Sequence, residues 1–275
     1  MTDQLPIGIF DSGFGGLTVF KSIAQKLPQY DYIYLGDNNR SPYGDHSFET
    51  VYLFTLECVE WLFAQGCQLV ILACNTASAK ALRNIQQLDL PKKYPNHRVL
   101  GVIRPTAEVI GTFSKTTNIG VMGTRGTVNS GSYPIEINNF FPEVKVYQQS
   151  CPMWVPIIEN GEHLDHGADF FVEKYIHELL QQAEEIDCIL LACTHYPLLI
   201  PKIENYLPQQ IQLLTQGEIV ADSLVTYLER HPEIESKLAK SRQKTFYTSG
   251  DVDVFNSHAS VFLGEKISSQ KVKIK

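Results

Sequence analysis

Val70-Ile71-Leu72-Ala73-Cys74-Asn75-Thr76 and Ile189-Leu190-Leu191-Ala192-Cys193-Thr194-His195 are near-copies of each other. Each is an apolar run that stops at a cysteine and turns polar at once. That is the pattern of a buried strand delivering a residue to a loop. Around them, short apolar runs alternate with helix-like stretches, which reads as a parallel α/β fold. Strands are expected at 7–10, 32–35, 69–73, 99–103, 119–122, 144–147, 189–192, 211–214 and 245–248. Helices are expected from 17 to the Pro28 stop, from a Ser47 N-cap to Gly66, and over 170–183, 218–230 and 252–262. The basic end, 266–275, reads as a solvated tail.

The repeat extends beyond the cysteines. Gly8-Ile9-Phe10-Asp11-Ser12-Gly13 is similar to Gly120-Val121-Met122-Gly123-Thr124-Arg125 at an offset of 112, and the cysteines are 119 apart. Chance likeness between β-rich segments is one account. Two similar α/β halves is the better one, because two separate matches share nearly one offset. A cleft between such halves collects strand carboxyl ends, where open α/β sheets bind ligands. Two thiols there can face each other, as a reaction on both faces of one carbon requires.

Composition narrows the function. The chain has 275 residues, 44% hydrophobic and 19% charged, enough for one large domain or two smaller ones. Its formal charge of -7 argues against a nucleic-acid partner. The first residues, Met1 to Pro6, show no basic region before an apolar core, so no export signal is expected. No apolar run approaches the ~20 residues that span a bilayer, so no membrane partner is expected. Six cysteines in such a chain are expected as free thiols in a reducing cytoplasm.

Four of these cysteines, Cys58, Cys67, Cys151 and Cys188, are expected to pack in the core, as free cysteine usually does. Cys193 and His195 have C-x-H spacing, but no C-x-x-C and no second Cys/His cluster completes a tetrahedral site, so no metal is expected. His163 and His166 read as surface histidines. Gly13-Phe14-Gly15-Gly16 is not G-x-G-x-x-G and no G-K-[ST] exists, so no cofactor motif is present. Its glycines serve either to aim N–H groups at a carboxylate or to let helix and strand pack closely. A thiol with a pKa of ~8.5 is little ionised near neutrality and needs help. Asp11 should stand beside Cys74 if their strands are neighbours, and His195 can turn back toward Cys193. Glu159 is either a buried carboxylate in an apolar stretch or an ordinary surface group. Gly123 holds the repeat position of Asp11, so Cys193 must be activated differently, with His195 and Glu159 available.

Taken together, Asp11-Ser12-Gly13-Phe14-Gly15-Gly16, Pro42-Tyr43-Gly44, Ala73-Cys74-Asn75-Thr76-Ala77-Ser78 and Ala192-Cys193-Thr194-His195-Tyr196-Pro197 resemble the cofactor-independent, two-cysteine glutamate racemases over nearly the whole chain. The resemblance implies two doubly wound domains, 1–98 plus 214–275 and 99–213, with the site between them. It implies Cys74 and Cys193 as acid/base thiols, Asp11 as partner of the first, and His195 and Glu159 near the second. It implies substrate contacts from Asp11, Ser12, Tyr43, Gly44, Asn75, Thr76, Thr194 and His195. The expected activity is interconversion of L- and D-glutamate without cofactor or metal, supplying D-glutamate for peptidoglycan from the cytoplasm; relatives are often homodimers. An aspartate racemase, another two-cysteine enzyme and a non-enzymatic amino-acid-binding protein are the alternatives. The chain departs from the family pattern at Arg104 and at Thr215-Gln216-Gly217, which bears on interdomain geometry, dimer packing or regulation.

Overall fold

A computed structural model describes residues 4–274; Met1–Asp3, where an export signal was sought, and Lys275 lie outside the described residues. Among the described residues, ten strands form two sheets, every pair parallel. They are β1 (Ile7–Asp11), β2 (Tyr32–Gly36), β3 (Leu69–Leu72), β4 (Arg98–Gly101), β5 (Asn118–Gly123), β6 (Lys145–Ser150), β7 (Cys188–Ala192), β8 (Gln212–Leu214), β9 (Lys244–Thr248) and β10 (Ser269–Lys271). The larger sheet runs β10-β9-β2-β1-β3-β4 and the smaller β6-β5-β7-β8. β1, β3, β5 and β7 are buried along their whole length, which is why they read as continuous apolar runs rather than alternating ones.

The order 2-1-3-4 in one sheet repeats as 6-5-7-8 in the other, so the two halves share one winding. In each, the chain leaves the central strand in one direction and returns on its other side, which opens a crevice at the carboxyl ends of β1/β3 and β5/β7. The registers match. Phe10 pairs with Leu72 and the Ala73 N–H donates to the Phe10 carbonyl, while Gly123 pairs with Ala192. Cys74 and Cys193 therefore leave their sheets at equivalent places. One apolar core links the halves, since Ile7, Ile71 and Ala73 share it with Met122, Leu191 and Cys193.

Helices fall where capping and periodicity place them, with small shifts. Ser47 caps the helix Phe48–Ala64 by accepting the Thr50 N–H, and Gly66 follows in the left-handed region that ends such helices. Val51, Cys58 and Leu62 are buried on its inner face, whereas Phe54 is half-buried beneath the Arg40 guanidinium. Three readings are corrected. The strand expected over 99–103 ends at Gly101, and Ile103 begins a helix, Ile103–Ala107. The expected tail contains β10, which pairs with β9 and sends the Ser269 N–H to Asn256; three residues are too few to show alternation. His163 is 9% exposed rather than on the surface, because a single turn, Glu162–Leu164, folds it inward. Among the described residues, all six cysteines are free and buried, and no helix is long and apolar enough to cross a membrane.

Candidate active site

A narrow cleft lies between the two crevices. Its wall includes Ser12, Tyr43, Gly44, Cys74, Asn75 and Thr76 from the first half, and Cys193, Thr194 and His195 from the second. Asp11 and Glu159 stand behind this wall.

On the first side, Asp11 ends β1 fully buried. Its Oδ2 accepts the Gly13 N–H at 2.9 Å, and Oδ1 has no partner among the described residues. Burial drives its pKa upward, against the pull of His195 and of the Gly13 and Gly16 amides. Cys74 caps the helix Asn75–Lys80. Its sulfur accepts the Ala77 N–H at 3.4 Å and lies 3.3 Å from the Ser12 hydroxyl. Burial first, and the Asp11 carboxylate second, push its pKa up to about 12 despite those two hydrogen bonds. Cys74 thus rests as a thiol, with two donors poised to receive a thiolate.

The second side is built as a relay. Cys193 Sγ lies 3.8 Å from His195 Nδ1, and His195 Nε2 lies 2.9 Å from Glu159 Oε1. Burial opposes protonation of His195, but the hydrogen bonds to Cys193 and Glu159 outweigh it and carry its pKa to about 10. Near neutrality His195 is an imidazolium held between a sulfur and a carboxylate. Glu159 is a partly buried relay member, not a free surface group.

The glycine loop serves close packing. A Cβ at Gly16 would lie 2.5 Å from the Asp11 Cβ, and one at Gly15 only 2.3 Å from His195 Nδ1. Its Gly13 amide does meet a carboxylate, that of Asp11. Other links join the halves across the cleft: Thr76 Oγ1 to Thr124 Oγ1 at 2.9 Å, and the Thr18 hydroxyl to the Thr194 carbonyl at 2.9 Å.

Two of the expected contact residues have their polar groups committed elsewhere. The Tyr43 hydroxyl donates to the buried Asp37. Asn75 accepts from the Tyr133 hydroxyl and donates to Gln216 Oε1, each at 2.6 Å. Gln216, one of the departures, is buried and donates toward the Val102 carbonyl, the Thr106 hydroxyl and Tyr133. It locks the return crossing to the residue beside Cys74. Arg104, the other departure, is an exposed partner of Glu108. Thr124, Arg125, Ser41, Cys151 and Val155 also line the cleft, and the sequence reading did not single them out. Thr124 was within reach of it, because it holds the repeat position of Ser12.

A profile of the Asp/Glu/Hydantoin racemase family matches residues 7–224. The chain is 36% identical to a glutamate racemase of Enterococcus faecalis, over 100% of its own length and 98% of the relative's. Its fold is similar to a crystal structure of a Bacillus anthracis glutamate racemase isoform, with a TM-score of 0.89, 34% identity, and 99% and 98% of the two chains covered. A Francisella tularensis glutamate racemase in complex with D-glutamate gives a TM-score of 0.87 at 29% identity, covering 99% and 98%.

Proposed function

The chain belongs to the Asp/Glu/hydantoin racemase family and is an isomerase, and we propose that it interconverts L- and D-glutamate by proton transfer between paired thiols. The observation that carries this reading is the placement of Cys74 and Cys193 at equivalent strand ends of two similarly wound sheets, lining one cleft. Substrate α-carbon held between them would meet one sulfur on each face at ~3–3.5 Å, the near-attack range.

In the proposed step, one thiolate takes the α-proton and becomes a thiol, while the electron pair stays on the substrate as a carbanion-like centre. The opposite thiol then gives its proton to the other face and becomes a thiolate. The resting site is already asymmetric: Cys193 is paired with the His195 imidazolium and Cys74 retains its proton. Reaction initiated by Cys193 leaves Cys74 as the thiolate, received by the Ala77 N–H and the Ser12 hydroxyl. Proton transfer of this kind gives only ~10²–10⁴-fold each, so donors to the substrate carboxylates must contribute the rest. Hydroxyls of Thr76 and Thr194, and that of Ser12 while Cys74 is a thiol, line the cleft and would serve that role. Asn75, Gly44 and Tyr43 would act through main chain and shape, since the side chains of Asn75 and Tyr43 are otherwise engaged. The proposal also takes from the resemblance a peptidoglycan role, a cytoplasmic site, a homodimer, and the units 1–98 plus 214–275 and 99–213.

The test is exchange in D2O. Each glutamate enantiomer should gain α-deuterium as it racemises, and Cys74→Ala and Cys193→Ala should each abolish racemisation. A wild-type enzyme that exchanges no α-proton of glutamate is not a glutamate racemase; faster exchange of aspartate would reassign the substrate. A cysteine variant that still racemises would rule out the two-thiol mechanism.

A further inference from the structure

Glu159 is the last residue of the short helix Trp154–Glu159, so its carbonyl is among those a helix end leaves without an intrahelical partner. A side chain from the far end of the sequence meets it. His258 Nε2 lies 2.7 Å from the Glu159 carbonyl oxygen, and its Nδ1 lies 2.8 Å from the Val254 carbonyl of its own helix. Carbonyls only accept, so the tautomer with its proton on Nε2 donates to the Glu159 carbonyl. The imidazole is stacked on Phe14, with ring centroids 4.4 Å apart and planes 18° off parallel. One turn further on, Phe262 sets its ring edge-on to His195 at 5.5 Å. The helix carrying both, Val252–Leu263, packs against the helix Leu17–Lys26 of the half that bears Cys74. One half of the molecule therefore braces the relay behind the cysteine of the other half.

We propose that His258 is a positioning residue for the Cys193 half of the reaction: by holding the Glu159 main chain, it keeps the Glu159 carboxylate on His195 and His195 on the Cys193 sulfur. This rests on the racemase reading above. Asn160 and Gly161 follow Glu159 at once, Gly161 in the left-handed region, so the helix gives way to a turn where the carboxylate must be held. Without the His258 contact, the end of the helix loses its only hydrogen bond to the opposite half among the described residues, and the relay loosens while Cys74 and its donors stay in place.

The two proton transfers must then be separated. L- and D-glutamate have equal free energy in water, so kcat/KM must fall equally in both directions in any variant. The relative heights of the two barriers are read instead from the primary isotope effects on kcat/KM with α-deuterated L- and D-glutamate. His258→Phe keeps a ring for Phe14 and removes the N–H that meets Glu159; His258→Gln keeps an N–H donor. The expected result for H258F is a kcat/KM about tenfold lower, as a sub-ångström misplacement of a reacting group produces. Its isotope effects should move in opposite directions: up for the enantiomer deprotonated by Cys193, down for the other. H258Q should show the same pattern in smaller measure. An isotope effect is a ratio of rates, so a misfolded fraction does not alter it. Unchanged kcat/KM in both variants, or isotope effects that stay put or shift together as kcat/KM falls, would overturn the assignment. If H258F cannot be purified, H258Q decides on the same criteria. Failure of wild-type exchange in D2O would instead overturn the underlying reading.

Discussion

Replacing Gly15 by alanine is the sharpest single probe of how the halves meet. The added Cβ would lie 2.3 Å from His195 Nδ1 and 2.4 Å from Thr194 Oγ1, where ordinary contact begins near 3.4 Å. Relief requires about 1.1 Å of extra separation between the glycine loop and the Cys193 loop. His195 has nowhere to retreat, being held by Cys193 at 3.8 Å, by Glu159 at 2.9 Å and by the edge of Phe262. A 1 Å misplacement at a reacting centre costs about 100-fold, so kcat/KM should fall by that order in both directions. Stability should fall by only about 1–3 kcal/mol, the usual cost of overpacking. Circular-dichroism progress curves from each enantiomer give the first quantity and urea unfolding the second. Gly167→Ala, where nothing lies within 4 Å of the new Cβ, serves as the control and should be silent. A G15A enzyme within about threefold of wild type would show that this close approach does not set the catalytic geometry.

Two further predictions concern charge. His195 has its folded pKa raised from 6.5 to about 10, so its contribution to stability is complete below the unfolded value and is lost as pH rises through the folded one. Urea unfolding should show wild-type stability declining by up to about 1.4 kcal/mol per pH unit more than His195→Asn between these values; parallel curves would contradict the imidazolium. Asp11 behaves oppositely to most carboxylates, since burial raises its pKa, so its ionised form weakens the fold at pH above the ordinary carboxylate range. Asp11→Asn should therefore hold its stability better than wild type as pH rises above the carboxylate range, read by urea unfolding, while losing racemase activity. An unchanged pH dependence in D11N would contradict the raised pKa, and an active D11N would remove Asp11 from the Cys74 side of the mechanism.

The apolar runs of β1, β3, β5 and β7 were readable because these strands are buried on both faces, which forces an unbroken hydrophobic sequence. The cysteine that ends two of them, and the repeat that pairs Asp11 with Gly123, were readable for the same reason: local order is written in consecutive residues. The edge strand β10 was missed, being short and mostly exposed, whereas β8, equally short, was read at 211–214. The contrast between Asp11 and Gly123 was readable too, but the contacts that complete each side of the cleft were not. Glu159 reaches His195 across 36 residues, His258 reaches Glu159 across 99, and Gln216 reaches Asn75 across 141. Such pairings leave no periodic trace, because a hydrogen bond between distant segments constrains two positions and nothing between them. The amino-acid order alone decided that two matching strands would each deliver a thiol; only the packing of one half on the other decided what surrounds each sulfur, and so that burial and Asp11 raise the Cys74 pKa, since a pKa is set by burial and neighbouring charge in space.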